Sequence, residues 1–578
     1  MKRYLFVILA TFALSSCNID NVLEEEVPMK PEIVLVNEGV YNIKTGREIV
    51  IAPEYRYVEG AAYKWSIDGK TVGKEPSYTF KAESAGRFYL LLEVLTQHGS
   101  AREELRIEVS ELALPLISLP GAAEGFGILV GESLELVPTV AETGLETSCK
   151  WEMRRPDDEA FVTVSESKDY TFAENLSGEY AMCFTTENED GGDSVAFTIT
   201  VSTPENAEFV WEFPQTEFNL ASGRRIRLLP RGVRNAFDAE YIWAVDGTEV
   251  QRGAEPAFIF ADEREGMHTV TVTMKNIYGE AVQELTVNVC PPEGTYRRPK
   301  STDSSADWNK VYEFTAAPGQ FVNEGYTATT AAESAAYAES RLKMGNAYVS
   351  LGGFGGYIVV GFDHSIENTG DYDFAVGGNS FDTSSEPGIV WVMQDENGDG
   401  LPNDTWYELA GSETGLEETL QDYAVTYYRP SGNGMDVQWS DNLGNRGCID
   451  YLKAHHRQET YYPAWIDADK YTLYGTCLKA RNYDRSGNGA FWEQPPYDWG
   501  YADNFSSVDR VNNDDNANAE VNANRFKISN AIDFEGRHVE LEYIDFVKVQ
   551  TGVNSKSGWL GELSTEVFSF YDCSMNKQ

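Results

Sequence analysis

Basic residues are scarce in this sequence. Its 578 residues carry 46 Lys and Arg against 92 Asp and Glu, a formal net charge of −46. Nucleic-acid phosphates are held by clustered Lys and Arg, so this balance argues against a nucleic-acid partner. A polybasic hold on an anionic membrane surface is disfavoured on the same ground. Long apolar runs are also missing. Tyr4 to Leu14 is an apolar run of 11 residues, too short for a mature spanning helix, which takes about 20. Histidine is limited to six residues, and neither HExxH nor GxSxG occurs. The metalloprotease and hydrolase-nucleophile patterns are therefore absent. Cysteine is limited to seven residues with no CxxC pair, which argues against a structural zinc site and against a disulfide scaffold. Carboxylates are abundant but no acid/base pair stands out, so the expectation is a non-enzymatic protein. Against these shortages, aromatic content is 12% and hydrophobic content 42%, values of core-forming chains rather than disordered ones.

Lys2 and Arg3 precede the short apolar run, and Leu14-Ser15-Ser16-Cys17 closes it. This resembles the bacterial lipobox. The resemblance implies cleavage before Cys17 and acylation of its sulfur, with several acyl chains giving stable anchoring. Residues 1–16 then read as a lipoprotein signal peptide and residues 17–29 as a lipidated tether, with the protein held to a membrane through Cys17.

The first half repeats itself. Tyr63-Lys-Trp65-Ser-Ile-Asp68-Gly69 recurs as Tyr241-Ile-Trp243-Ala-Val-Asp246-Gly247, with a degenerate copy at Cys149-Lys-Trp151 between them. Tyr78-Thr-Phe80, Tyr170-Thr-Phe172 and Phe258-Ile-Phe260 follow in turn, and then runs of period-two alternation such as His268 to Met274. Alternation of this kind marks half-buried strands. The pattern resembles polycystic kidney disease (PKD)-like, immunoglobulin-type sandwiches over residues 30–112, 113–203 and 204–290, and all three are expected to act as spacers. Six cysteines remain beyond Cys17: Cys149, Cys183, Cys290, Cys448, Cys477 and Cys573. They allow 15 pairings. A Cys149–Cys183 bond is one expectation from nearby strands, although alternation points Cys183 away from the core.

Residues 291–308 read as a linker, opened by Pro291-Pro292-Glu-Gly. Residues 309–578 read as one larger, jelly-roll-like β-sandwich with ligand-binding function. Thr330-Ala-Ala-Glu333 is a capping box before an alanine-rich run to Leu342 and Met344, the one clear short helix. The whole chain is thus expected to be all-β, as three tandem sandwiches and a fourth, larger one.

Two constellations in this last region carry chemistry. Asp395, Asn397 and Asp399 precede Gly400, with Asn403 and Asp404 beyond. Oxygen side chains at alternate positions of a tight loop are the logic of calcium sites, and a structural calcium is the expected cofactor. The EF-hand pattern is broken by Trp406 at the twelfth position, and the same composition suits an Asn/Gly turn. The second constellation is aromatic: Phe491, Trp492, Tyr497, Trp499 and Tyr501, joined by Tyr461, Tyr462 and Trp465. Flat apolar faces in a Pro/Gly loop suit sugar rings or other large planar ligands. Trp492, Tyr497, Trp499, Tyr501, Tyr462 and Trp465 are the expected ligand-binding residues; burial under a folded-back loop is the alternative.

Gly352–Asp363, Asp373–Phe381, Glu386–Val392, Asn403–Ser412 and Asp545–Gly552 together resemble the C-terminal domain of Bacteroidetes cell-surface lipoproteins with PKD-like repeats. The resemblance implies an outer-membrane lipoprotein facing outward, a partner of TonB-dependent transporters, with no catalytic residues. It implies a captured ligand, cobalamin (vitamin B12) first and a glycan second; calcium-dependent adhesion is a third reading.

Overall fold

The protein is described here from a computed structural model, covering residues 29–326, 328–511 and 522–575. The expected lipidation residue Cys17 lies outside the described residues. The chain forms two compact units, Met1–Ala113 and Leu114–Gln578. It is built of β-strands, with one α-helix among the described residues.

The first unit is a sandwich. Its larger sheet runs, in spatial order, Val40–Lys44, Gly99–Ser110, Gly86–Thr96, Ala62–Ile67 and Lys70–Gly73. The opposing Glu48–Ile51 and Tyr78–Lys81 form an antiparallel pair. Trp65 is fully buried among Leu90, Leu92 and Ile107. Its indole N–H donates to the Glu75 carbonyl at 2.8 Å, so the polar edge of this large side chain is satisfied inside the core. Asp68 and Gly69 both take positive φ, 49° and 76°. That is the two-residue hairpin turn that an Asp-Gly pair favours.

The second unit repeats this plan twice. Its sheets run Phe126–Leu129, Gly191–Ser202, Gly178–Asn188, Ser148–Arg154, Val162–Ser165, and Glu217–Ala221, Glu280–Cys290, Gly266–Lys275, Glu240–Val245, Thr248–Gly253. Trp151 and Trp243 are fully buried in the places of Trp65. Each repeated Trp meets the first aromatic of the later motif on the facing sheet. Trp65–Tyr78, Trp151–Tyr170 and Trp243–Phe258 have ring centroids 5.9, 5.7 and 5.3 Å apart. The two aromatic signatures of the repeat are therefore one inter-sheet contact.

The Cys149–Cys183 expectation is corrected. All six described cysteines are free. Cys149 lies opposite Thr186 and Cys183 opposite Glu152, so the register sets the two thiols three residues out of step.

Residues beyond 309 form a six-stranded antiparallel sheet in the order Lys310–Thr315, Tyr357–Glu367, Tyr543–Thr551, Gly388–Met393, Trp406–Leu409, Ala531–Ile532. One face presents Ile358, Val360, Val390, Val392, Val547 and Val549 to a core shared with the helix Ala331–Leu342. Thr330 caps that helix through Glu333 N–H. Glu333 reaches back to the N–H of Thr329 rather than of Thr330, which displaces the capping box by one residue. A four-stranded sheet, Arg446–Ile449, Val437–Asp441, Leu420–Tyr428, Lys470–Cys477, builds a second core with Tyr427, Tyr461 and Tyr462.

The spacer expectation is revised for the second and third sandwiches, which pack onto this last domain. Lys470 pairs with Glu124 at 2.5 Å, Arg227 with Asp422 at 2.6 Å, and Arg225 with Asp533. Residues 291–308 are laid on the domain too. Arg298 donates to Asp545 Oδ1 at 2.9 Å and to the Phe362 carbonyl at 2.9 Å. Replacing Trp151 by Ala removes the centre of one core and should destabilise the second unit by about 3–5 kcal/mol. Urea denaturation of the variant against the parent chain measures this.

Candidate functional site

The face of the six-stranded sheet opposite the valines is polar and aromatic. Strand alternation places Lys548, Trp391 and Glu408 side by side across three neighbouring strands, with Trp406 two residues before Glu408. The third sandwich and the strand Lys470–Cys477 overhang this row and leave a cleft of about 330 Å³. That volume lies at the lower end of the roughly 300–1,000 Å³ of small-molecule sites. Lys548 Nζ stands 4.7 Å from the Trp391 ring centre and 5.0 Å from that of Trp406. Arg231 lies over Tyr474 at 5.6 Å, and Arg225 over Phe534 at 5.2 Å. Stacked cations and half-exposed rings give the cleft flat apolar surfaces edged by charge.

Burial sets the electrostatics. Glu408 is pushed up to about 7 by desolvation, against the pull of the Thr476 hydroxyl and of Lys548. Desolvation lowers Lys548 to about 8, against the pull of Glu313 and Glu408. The cleft was missed in the sequence because it forms between domains. A signal existed: Lys548 interrupts the otherwise apolar run Phe546-Val-Lys-Val549.

The expected aromatic site does not assemble as one surface. Tyr462, Trp465, Tyr497 and Tyr501 are buried, none more than 8% exposed. Tyr462 belongs to the core beneath the four-stranded sheet, and Trp465 to the core shared with the helix. Tyr497 and Tyr501 pack with Ile389, Leu478, Val553 and Leu563. Their hydroxyls are engaged: Tyr462 donates to the Ala468 carbonyl at 2.8 Å, Tyr497 to the Lys479 carbonyl at 2.7 Å, and Tyr501 accepts from Glu413 N–H at 3.0 Å. These four residues are structural, because the loop folds its rings inward. Trp499 is half-buried in a separate groove with Tyr372, Arg525 and Lys527.

Trp492 is half-buried in a different surface, one that includes aromatics missed before. It pairs with Asp484, and its neighbour Glu493 pairs with Tyr483. Gln494 bridges to Ser384 of the turn that begins at Phe381. The Trp559 indole donates to the Ala490 carbonyl at 3.3 Å. Phe381, Tyr483, Phe491 and Trp559 are 46–53% exposed on these joined segments. Gly558, at φ 59°, lies so close that a Cβ there would stand 2.7 Å from the Trp492 indole nitrogen, so only glycine permits this packing.

The acidic loop is held by its own amides. Asp395 accepts from Gly398 N–H at 2.8 Å and from Gly400 N–H at 3.1 Å. Asn397 and Asn403 donate to Asp399 Oδ2 at 2.9 and 2.8 Å. Asp404 turns inward to accept from Glu396 N–H at 3.0 Å. Its carboxyl is pushed up to about 7 by desolvation. The carboxylates of Asp395, Asp399 and Asp404 form no triad within 4.8 Å, while Asn397 and Asn403 gather on Asp399. Among the described residues, triads of acidic or thiol ligand atoms within 4.8 Å are Glu386–Asp503–Glu566 and Asp436–Cys448–Asp450.

Glu408 generates a pH prediction. Its folded pKa lies above its unfolded value, so the folded state binds the proton more tightly. The stabilisation is complete below about 4.5 and is lost as pH rises through about 7. Melting temperature should therefore fall less steeply between pH 5 and 8 in Glu408→Gln than in the parent, as scanning calorimetry would measure.

The PKD-like domain family matches residues 30–96, and the prokaryotic membrane lipoprotein lipid attachment site matches residues 1–18. No curated protein matches the chain. Among solved structures, the I-band fragment I67-I69 from titin is 13% identical, covers 45% of this chain and 98% of its own, and has a TM-score of 0.19. The fibronectin(III)-like modules of Clostridium thermocellum CbhA are 12% identical over 32% of this chain and 100% of their own, with a TM-score of 0.16. Nothing functional follows from likeness at this level. The chain carries a prokaryotic membrane lipoprotein lipid attachment site, which supports a membrane-anchored lipoprotein, and a PKD-like domain.

Proposed function

We propose that this lipoprotein is a binding protein that captures a bulky, flat-faced ligand on the open aromatic surface around Trp492 and passes it to a TonB-dependent transporter in the outer membrane. The observation that carries the reading is the gathering of Phe381, Tyr483, Phe491 and Trp559, each about half exposed, on segments tied together by backbone pairing. Rings fixed on a built surface bind at small conformational cost. The sequence resemblance places cobalamin first. A corrin is broad, rigid and partly apolar, and an open surface accepts it where a cleft of about 330 Å³ does not.

Calorimetric titration of the mature chain with cyanocobalamin tests this. Trp559→Ala and Phe491→Ala should each weaken binding about tenfold, or about 1.4 kcal/mol. No heat at ligand concentrations on the order of 100 μM would remove cobalamin from consideration.

A second reading rests on the cleft. Trp391, Trp406 and Tyr474 offer ring faces beside Glu408, Asp422 and Lys548, a combination suited to stacking and hydrogen-bonding a sugar. In that case a glycan panel gives binding that Trp406→Ala abolishes and Trp559→Ala leaves intact.

A further inference from the structure

Three carboxylates meet at the base of the aromatic surface. Glu386, Asp503 and Glu566 each place a ligand oxygen within 4.8 Å of the others. They come from separate segments. Glu386 follows the Phe381–Ser384 turn, Asp503 closes the loop that carries Trp492, and Glu566 lies in the short strand Glu566–Val567. Asp503 and Glu566 are 1% and 2% exposed, and Glu386 is half-buried.

Neutral donors hold Asp503, and the Glu386 and Glu566 side chains hydrogen-bond to each other. Asp503 Oδ1 accepts from the N–H groups of Asn379 and Ser380, both at 2.8 Å, and Oδ2 accepts from Glu566 N–H at 3.0 Å. The Asn379 side-chain amide, its NH2 turned to Asp503, stands 3.1 and 3.3 Å from the two oxygens. No ion pair among the described residues involves Glu386, Asp503 or Glu566. Three buried polar atoms at this place lack any partner: Glu566 Oε2, the hydroxyl of Ser380, and Oε2 of the neighbouring Glu562. Ser380 and Glu562 are 2% and 4% exposed. Unpaired buried oxygens of this kind are costly. Glu566 Oε2 and the Ser380 hydroxyl are thus oxygens of this cluster with unused capacity to ligate.

We propose that Glu386, Asp503 and Glu566 bind a hard divalent cation, calcium by preference, which clamps the Phe381 turn to the loop carrying Trp492. Oxygen-only ligands select magnesium, calcium or manganese over softer metals. Calcium tolerates irregular sets of 6–8 oxygens, whereas magnesium demands a near-ideal octahedron and keeps its water. The inference is independent of ligand identity, since a cation here orders the aromatic segments whatever they hold. A proton shared among the carboxyls is the competing arrangement.

The test uses the mature chain stripped with chelator, then titrated with calcium chloride by calorimetry and followed in thermal melts. Magnesium and manganese chlorides serve as comparisons. Calcium should raise the melting temperature progressively with concentration. Glu566→Gln and, separately, Asp503→Asn should weaken calcium binding at least tenfold, while Asp399→Ala leaves it unchanged. Loss of the response in Asp399→Ala with retention in Glu566→Gln would put the ion in the Asp395–Asp404 loop and overturn the proposal. So would a parent chain indifferent to all three metals, which is the outcome a shared proton gives. Where Glu566→Gln does not fold, the half-buried Glu386→Gln should show the same loss, and loss in Asp450→Asn with retention in Glu386→Gln would put the ion at Asp436–Cys448–Asp450 and overturn the proposal.

Discussion

Period-two alternation over residues 546–551 of the strand Tyr543–Thr551 is the constraint on which the C-terminal domain depends. Its even partition sends Val547 and Val549 to the helix-covered core and Lys548 to the opposite face. The neighbouring strands obey the same phase, so Trp391 and Glu408 join Lys548 while Val390, Val392, Tyr407 and Leu409 join the valines. A one-residue slip would bury the charges and expose the core. One sheet thus supplies both the domain's main apolar core and the floor of its cleft.

Much of this architecture was legible in the residues. The repeated Trp65, Trp151 and Trp243 mark equivalent core positions because each is fully buried against the first aromatic of the later motif. The Asp68-Gly69 and Asp246-Gly247 pairs mark hairpins because both central residues take positive φ. Thr330 and Glu333 mark a helix start because its first amides need acceptors. These are local or periodic signals, and local physics decides them.

The open aromatic surface and the cleft were harder to read because exposure is a tertiary property. Tyr497, Trp499 and Tyr501 follow one another within five positions, yet they enter two different environments. Trp492 and Trp559 are 67 positions apart in sequence but belong to one surface, joined through Ala490 and Gly558. The alternate oxygens of Asp395, Asp399 and Asp404 are visible in the sequence, but the inward turn of Asp404 onto the Glu396 amide is not. Conversely, Glu386, Asp503 and Glu566 share no spacing at all. Only the pairing of distant segments collects them.

In each of the three sandwiches, an early strand lies parallel to the last one: Val40–Lys44 beside Gly99–Ser110, Phe126–Leu129 beside Gly191–Ser202, and Glu217–Ala221 beside Glu280–Cys290. A parallel pair has its entry and exit at opposite ends. Tension applied along such a pair would load its evenly spaced hydrogen bonds in shear. They must then yield together instead of peeling one by one.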